Sequence, residues 1–266
     1  HSKNTLDLNY LFVAKEHHGA TILTEHLADR IAPLNENGDD DPHADGSFGY
    51  HVYYRNLNGG SRTDVVRTNR VVLSAGTLGS TELLLRCRDV QKTLPAISQK
   101  LGQRFSGNGD FLSFVVKTEG PADPNYGPVI TQRTDFNLFN QFDPQRAFIL
   151  EDASYPAFAA WFAEGAKPGF LHLGPLWRTF KHLFNRFIRG RSLGTIGQAA
   201  KDLLSDDLSY NSCVLLCMGL DRSDGVMSLD RNAEIVVAWP YGNSRSLYES
   251  IIQAGRRFQE AVRAKV

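Results

Sequence analysis

The sequence is poor in the residues that cross-link small proteins or anchor proteins in membranes. Its 266 residues include only three cysteines, Cys87, Cys213 and Cys217, whose spacing fits neither a zinc site nor a redox motif. A sparse, odd-numbered set is unlike a disulfide framework, so we expect three ordinary buried thiols. No run reaches the ~18 apolar residues of a membrane span, and no secretory signal is visible. A location in the cytoplasm or at a membrane surface is therefore expected.

The sequence also lacks an excess of charge of either sign. It contains 29 Lys and Arg residues against 29 Asp and Glu residues, so its formal net charge is zero. A nucleic-acid partner is not expected, because such partners select a strongly basic surface. The acidic loop at 36–47 does not have the aspartate spacing of a calcium loop, and we interpret it as solvated. No metal site is predicted.

Apolar spacing and turn residues predict a mixed α and β architecture in the first part of the chain. Helical spacing favours a helix over Asn4–Lys15 that ends at Gly19, followed by a strand over Ala20–Thr24 that Leu27–Ile31 could continue. Strand composition around a glycine turn predicts a hairpin over residues 50–68. The apolar run Val71–Ser74 predicts a central, buried strand. A helix over Thr81–Arg88, capped by Thr77 or Ser80, is expected to follow it.

From residue 111 onward the pattern predicts a second, largely antiparallel unit. A long helix-like segment interrupts its strands, and an amphipathic helix over Ser244–Ala264 closes the chain. The predicted strands are Phe111–Val116, Gly127–Gln132, Ala147–Glu151, Ser212–Leu220, Val226–Leu229 and Glu234–Trp239. A hairpin turn at residues 230–232 joins the last two.

The stretch VVLSAGTLGSTELLL, residues 71–85, joins a strand pattern to a helix pattern through a glycine turn. Glycine lets the backbone approach a ligand closely, and a helix N-terminus favours anions, so Gly76 and Gly79 are candidates for a cofactor turn. The spacing is G-x-x-G and not the dinucleotide fingerprint G-x-G-x-x-G. From the residues alone, a close strand–helix packing turn remains the alternative. The segment also lacks the G-x-S-x-G elbow of a serine hydrolase.

Three blocks together resemble the glucose–methanol–choline (GMC) family of flavin oxidoreductases, in its cholesterol oxidase-like branch. They are KNTLDLNYL with GATILTEHLADRI, then RVVLSAGTLGSTELLLRCRD, then LPAISQKLGQRFSGNGD. The resemblance covers most of the chain apart from about residues 157–210. It implies an α+β or α/β fold, with part of a doubly wound FAD-binding domain over 1–117. A substrate-binding domain built on an antiparallel sheet follows over 118–240, with a helical insert at 157–210, and a C-terminal helix spans 241–266.

The resemblance also implies which residues lie near FAD. The backbone near Ala28 would hydrogen-bond the adenine, and the turn at residues 75–79 would lie along the dinucleotide. The segment Asn108-Gly109-Asp110 would lie near the flavin, although a plain turn is the alternative for Asn108-Gly109 alone. The implied cofactor residues are Ala28, Ala75, Gly76, Thr77, Gly79, Asn108, Gly109 and Asp110.

Two parts of the family pattern are absent from this sequence. One is the G-x-G-x-x-G fingerprint, and the other is the block that carries the catalytic histidine and its partner. The resemblance therefore implies a central fragment of a flavoenzyme, with the remaining parts of its own parent chain as partners. We expect such a fragment alone to bind FAD weakly or not at all and to be inactive.

The segment FILEDASYP, residues 148–156, resembles the cholesterol oxidase segment that places a glutamate over the steroid ring. Glu151 is the matching residue, and a carboxylate in an apolar pocket is suited to moving protons beside a hydride acceptor. Its alternatives are a strand-end carboxylate or a salt-bridge partner, and Asp152 is a rival.

Residues 165–201 combine aromatic and basic residues without any acidic residue. They predict a lid or a peripheral membrane contact, with a helix packed on the sheet as the alternative.

The function expected from these observations is hydride transfer from a bulky apolar alcohol, of the sterol type, to FAD. Two alternatives stay open. One is a non-catalytic module that binds a lipid or a protein partner, and the other is a GMC enzyme that acts on a small polar alcohol.

Overall fold

A computed structural model describes residues 5–59, 62–116, 118–120, 122, 128–154 and 212–263. The chain divides into two compact units. The first unit comprises His1–Phe105 and Gly225–Ala238, and the second comprises Ser106–Asp224 and Trp239–Val266. The expected helical insert at 157–210 and the membrane or lid segment at 165–201 lie outside the described residues. The division into a cofactor domain and a substrate domain near residue 117 stays a prediction.

The described residues mix helices with antiparallel sheets, as α+β proteins do. The strands are β1 His26–Pro33, β2 Tyr50–Asn56, β3 Thr63–Thr68, β4 Gln103–Phe105, β5 Phe111–Val116, β6 Arg133–Phe136, β7 Phe148–Ala153, β8 Ser212–Gly219, β9 Gly225–Leu229 and β10 Ile235–Ala238. The α-helices are α1 Tyr10–His18, α2 Gly76–Leu85 and α3 Arg245–Ala261. Shorter helical turns span Leu6–Leu8, Arg86–Val90 and Tyr241–Ser244. None of these helices is long and apolar enough to cross a bilayer.

The helix predicted over Asn4–Lys15 is found in the first unit as α1, which begins later than predicted, at Tyr10, but ends at Gly19 as the sequence predicts. Gly19 adopts a left-handed φ of 66° at its C-terminus. The strand expected over Ala20–Thr24 is wrong, because the first strand begins only at His26. Glu25 has a φ of 57°, which breaks the extended backbone just before that point. From there β1, β2 and β3 form an antiparallel sheet in that order, and the hairpin predicted over residues 50–68 is confirmed.

The central buried strand expected over Val71–Ser74 is also wrong. These residues pair with no strand among the described residues, and Val72 is 87% exposed. A central strand needs hydrogen-bonded neighbours on both sides, and here the backbone has none. Every strand pairing in the described part of the chain is antiparallel, so the doubly wound sheet is not among its features. The helix predicted over Thr81–Arg88 begins earlier, at Gly76.

A second small sheet in the first unit has the order β10-β9-β4. The predicted turn at residues 230–232 joins β9 to β10. Asp230 closes it, since its side-chain oxygen accepts hydrogen bonds from the N–H groups of Asn232, at 2.8 Å, and Glu234, at 3.0 Å. Arg86 donates to the carbonyl of Ala233 at 2.8 Å, which attaches the end of α2 to this turn.

The second unit is a four-stranded antiparallel sheet of order β5-β8-β7-β6, with α3 packed on one face. The apolar stripe predicted on α3 is confirmed, because Leu247, Ile251 and Ala254 are buried against the sheet. Of the strand expected over Gly127–Gln132, residue 127 lies outside the described residues, and the strand found here begins only at Arg133. The reason is a side chain distant in sequence: the carboxylate of Asp152 binds the backbone N–H groups of Thr131 and Gln132.

All three cysteines are free thiols, as the sequence predicts. Cys87 and Cys217 are buried, whereas Cys213 is half-buried. Burial raises the pKa of each of these thiols above its ordinary value, so each is held in its neutral form.

Candidate functional site

Glu151 lies in a row of side chains that crosses all four strands of the second unit. In β7 its Cα is paired with Arg133 of β6 on one side and with Leu216 of β8 on the other. Leu216 is in turn paired with Leu112 of β5. Directly paired residues of an antiparallel sheet point to the same face, so Arg133, Glu151, Leu216 and Leu112 share one face.

This row occupies the face of the sheet opposite to α3. Phe148 and Leu150 of β7 pack against the helix, and successive side chains of a strand alternate between faces. Glu151 therefore points away from the helix. On the same face, Leu112 is 58% exposed and Phe114 is 55% exposed. A carboxylate with large exposed apolar side chains on the same face, two strands away in β5, is an arrangement suited to a bulky apolar molecule with one reactive position.

The carboxylate of Glu151 is buried and has an unused acceptor. The residue is only 7% exposed, and its Oε2 has no hydrogen-bond partner among the described residues. A buried polar atom normally finds a partner, so an unpaired carboxylate oxygen indicates strain, catalysis or a missing ligand. Among the described residues Glu151 has no ion pair, and the ion pair of Arg133, on the paired strand, is with Asp135 at 3.8 Å.

Asp152, the rival of Glu151, has a different task. Its Oδ1 accepts from the N–H groups of Thr131, at 2.8 Å, and Gln132, at 2.7 Å, and its Oδ2 accepts from the Thr131 hydroxyl at 2.5 Å. Desolvation acts to raise the pKa of the Asp152 carboxyl, but these hydrogen bonds outweigh it and the pKa lies below its ordinary value. With both oxygens engaged, Asp152 fixes the chain before β6.

An apolar cavity of about 250 Å³ lies on the other side of the same sheet, next to α3. Ser113, Leu215, Cys217, Ile251 and Gly255 are among its lining residues, and Glu151 is not. This cavity is therefore not the environment of the Glu151 carboxylate.

The segment Asn108-Gly109-Asp110 forms a tight turn before β5. Asn108 and Gly109 both have a φ of 58°, in the left-handed region. A Cβ on Gly109 would lie 2.7 Å from the carbonyl oxygen of Gly219, so only glycine fits. The carbonyl of Asn108 accepts a hydrogen bond from the N–H of Gly219 at 2.8 Å.

The turn and Glu151 belong to the same sheet. Gly219, which holds the carbonyl of Asn108, is paired with Phe148 at the start of β7. Glu151 lies three residues further along that strand, about 10 Å away at the usual rise of a strand. The structure thus brings these two predicted sites to one sheet of the second unit.

The other predicted cofactor residues lie in the first unit. Ala75 precedes α2, and Gly76 has a φ of 71° with no atom within 4 Å of a Cβ placed on it. The first N–H groups of a helix have no partner within the helix, and they attract anions. The N–H of Ala75 donates to Ser80 Oγ at 3.0 Å, which closes the turn. The residues from Ala75 to Thr77 are exposed, so the turn is open to a phosphate-bearing ligand.

Gly79 and Ala28 complete the set in the first unit. A Cβ on Gly79 would lie 3.1 Å from that of Ala75, so this glycine shapes the turn by permitting close packing. Ala28 is exposed on β1, which is an edge strand, and the register with β2 shifts between Ala28 and Arg30. An edge strand leaves backbone groups free to hydrogen-bond a ligand. The residues on both segments fit the chemistry of a dinucleotide cofactor.

Sequence reasoning missed three side chains near these sites. Asp221 binds the turn that contains Asn108, Arg133 is paired with Glu151 in the strand register, and Tyr248 of α3 packs beside Phe111, with ring centroids 6.3 Å apart. The position of Arg133 next to Glu151 follows only from the pairing of strands across the sheet. Asp221 is more than a hundred residues away in sequence from Ser106 and Gly107, which it binds. The pair Asn108-Gly109 indicated a turn, but nothing in the sequence indicated that Asp221 binds it.

Comparison with known proteins relates the chain to an oxidoreductase. The chain is 36% identical over 246 residues to a protein named cholesterol oxidase from Acinetobacter baumannii. The aligned part covers 91% of this chain and 39% of that protein, so the chain spans about two fifths of its relative's length. No family model matches the chain.

Proposed function

We propose that this chain is part of an FAD-dependent alcohol oxidoreductase of the GMC type, which acts on a bulky apolar alcohol of the sterol class. Within this proposal the chain is a central fragment that is inactive without the rest of its parent protein. The structural observation that carries the proposal is Glu151, a buried carboxylate on a sheet face with exposed apolar side chains. One of its oxygens has no hydrogen-bond partner among the residues that the structure describes. The similarity to a cholesterol oxidase over 91% of the chain supports the same class.

The chain's own residues would perform three tasks. The open turn at Gly76 and the edge strand at Ala28 would bind the cofactor, with Ala75, Thr77 and Gly79 shaping the site. Asn108, Gly109 and Asp110 would line the site near the flavin. When bound, FAD supplies the hydride acceptor.

Glu151 would move a proton on the substrate. Its Oε2 would take a proton from a ring carbon and return it to another carbon, which shifts the position of a double bond without net change in composition. Leu112 and Phe114 would contact the apolar body of the substrate. The base that removes the hydroxyl proton is assigned to no residue of this chain.

The proposed enzyme class can be tested on the sequence of the complete open reading frame and on the absorbance spectrum of the purified protein. The open reading frame that encodes the chain should contain a G-x-G-x-x-G before Lys3 and a histidine-bearing block after Val266. The purified full-length product should show the absorbance bands of a bound flavin. An open reading frame without both sequence features would overturn the flavoenzyme proposal.

The role of Glu151 is tested with Glu151→Gln in the full-length protein. The variant should oxidise a sterol but accumulate the unisomerised ketone, because the amide cannot take up the proton. Glu119→Gln is the matched control, since Glu119 is an exposed glutamate that pairs with Arg263 at 3.3 Å. Normal isomerisation by Glu151→Gln would remove Glu151 from the mechanism.

The exposed apolar face also supports a second candidate, a non-catalytic module that binds a lipid or a protein partner. A full-length protein that copurifies with lipid but never with flavin would favour it.

The basic segment 165–201 would then add contact with a membrane, as it would in the oxidoreductase. Sedimentation with anionic liposomes at low salt tests this contact, and a protein that stays in the supernatant rules it out.

A further inference from the structure

The turn over Ser106–Asp110 has a tightly bent backbone that side-chain and backbone hydrogen bonds support. It contains two consecutive residues in the left-handed region, and one of them, Asn108, is not a glycine. Its neighbour Gly107 has no room for a side chain, because a Cβ there would overlap the ring of Trp239. Asparagine adopts a positive φ more readily than most residues with a side chain, but it is less relaxed there than glycine, so contacts around the turn help to hold this backbone.

A single carboxylate supplies much of that support. Asp221 follows β8, and its Oδ1 accepts a hydrogen bond from the Ser106 hydroxyl at 2.5 Å. Its Oδ2 accepts from the N–H of Gly107 at 2.7 Å. The Ser106 oxygen in turn accepts from the N–H of Asn108 at 2.9 Å. Asp221 is thus connected to three successive residues of the turn.

The position of Asp221 is itself fixed by the sheet. Its N–H donates to the carbonyl of Gly219 at 3.1 Å, and Gly219 donates to the carbonyl of Asn108 at 2.8 Å. The next residue, Arg222, donates its N–H to Ser244 Oγ at 2.9 Å, at the start of α3. Through Asp221 and Arg222, the turn is therefore connected to β8 and to the helix that packs on the sheet.

We propose that Asp221 is a positioning residue for the cofactor: its carboxylate sets the Ser106–Asp110 turn in the shape that Asn108 presents to the flavin. The inference rests on the proposed function, since it takes the cofactor from there. What it adds is a residue outside every motif of the resemblance, acting through hydrogen bonds to Ser106 and Gly107.

A carboxylate suits this task better than other side chains of its size. Both partners are donors, and an ionised aspartate accepts through both oxygens at once. Asparagine has only one acceptor oxygen, so it can keep the bond to Gly107 while its NH₂ group faces Ser106. The serine hydroxyl can rotate and accept from that group, which makes Asp221→Asn a partial rescue of Asp221→Ala.

The test measures FAD binding by full-length protein stripped of flavin and then titrated. Asp221→Ala should weaken FAD binding about 10- to 100-fold, the loss expected for hydrogen bonds to a charged group. Asp221→Asn and Ser106→Ala should fall between it and the wild type. At saturating FAD, the visible circular dichroism of the bound flavin should differ from the wild type in Asp221→Ala. A residue that only stabilised the fold would leave that spectrum unchanged.

Asp224→Ala is the matched control, since this neighbouring aspartate binds the side chain of Asn243 at 2.9 Å and does not contact the turn. It should keep the affinity and the spectrum of the wild type. If the wild type binds FAD and Asp221→Ala binds it equally well with the same spectrum, the inference is wrong and the proposed function stands. If the wild type binds no FAD, both are wrong. Should Asp221→Ala not fold, wild-type affinity in both Asp221→Asn and Ser106→Ala would overturn the inference.

Discussion

Arg133 and Glu151 lie directly opposite each other on neighbouring antiparallel strands, yet the ion pair of Arg133 is with Asp135. Its N–O distance is 3.8 Å, and the Arg133 side chain is 58% exposed. The Glu151 carboxylate, by contrast, is buried, and one of its oxygens has no hydrogen-bond partner in the described part of the chain. The protein thus keeps the Glu151 carboxylate buried next to an arginine whose charge pairs with Asp135 instead. This arrangement lowers the stability of the fold.

The first prediction follows from that cost. Glu151→Met should raise the free energy of unfolding by about 1–3 kcal/mol, because it removes a buried polar group without a partner and keeps a similar volume. Urea unfolding of the wild type and the variant checks this. Asp135→Asn on the exposed neighbouring strand is the control and should change stability by less than about 0.5 kcal/mol. A variant that unfolds at lower urea than the wild type would show that the carboxylate has a stabilising partner.

The second prediction separates backbone strain from lack of space at two glycines. Gly76 and Gly109 both have a positive φ, but only Gly109 is pressed against the backbone of Gly219. Gly76→Ala should therefore cost about 1–2 kcal/mol of stability, the cost of the left-handed backbone alone. Gly109→Ala should cost more, because a Cβ 2.7 Å from the Gly219 oxygen forces the turn to move.

Thermal unfolding of the flavin-free protein checks the order of these two variants. Gly120→Ala is the control, since a Cβ there meets no atom within 4 Å and its φ is not positive. It should be close to the wild type. Equal losses at Gly76 and Gly109 would mean that space around Gly109 contributes nothing.

Much of the second unit could be predicted from the sequence, because local signals determine it. The stripe of Leu247, Ile251 and Ala254 predicted α3, and strand composition predicted β5 and β8 nearly to the residue. The start of β6 could not be predicted, since it depends on Asp152, which lies some twenty residues away and captures the N–H groups before Arg133. A side chain that competes for backbone donors moves a strand without leaving a local trace.

The strand expected at Val71–Ser74 fails for a related reason. Its apolar composition suits a buried strand. Composition does not show whether a neighbouring strand is present to pair with it, and the described residues contain none. For the candidate site, the resemblance pointed to Glu151 and to the turn at Asn108, and their roles stay predictions. It did not identify Asp221, which is 115 residues from Ser106 and has no motif around it.

The third prediction concerns Tyr248. Its hydroxyl is buried without a hydrogen-bond partner among the described residues. Desolvation raises its pKa, with further contributions from the negative charges of Asp221 and Asp110. Tyr248→Phe removes the unpaired oxygen and keeps the ring beside Phe111, so the free energy of unfolding should stay within about 0.5 kcal/mol or rise. Tyr248→Leu, which also loses the ring contact, should be less stable. A loss above about 1 kcal/mol in Tyr248→Phe would reveal a hydrogen bond to the hydroxyl.

The last prediction concerns stability at alkaline pH. Burial raises the pKa of the Cys217 thiol from an ordinary value of 9.0 to about 11, and the charge of Glu151 acts in the same direction. Between these two values the unfolded chain releases a proton that the folded chain keeps, so unfolding becomes more favourable as the pH rises. The stabilising contribution is therefore fully present below pH 9 and is lost towards pH 11.

Urea unfolding at several pH values between 8 and 11 measures this slope. Cys217→Val keeps an apolar side chain at the position and removes the titrating group, so its stability should fall less steeply than that of the wild type. Some slope should remain, because the pKa values of Cys87 and Cys213 are raised as well. Glu151→Gln should also flatten the slope slightly, since it removes the negative charge that opposes ionisation of the thiol. Parallel curves for the wild type and Cys217→Val would show that this thiol ionises equally readily in the folded and unfolded chains.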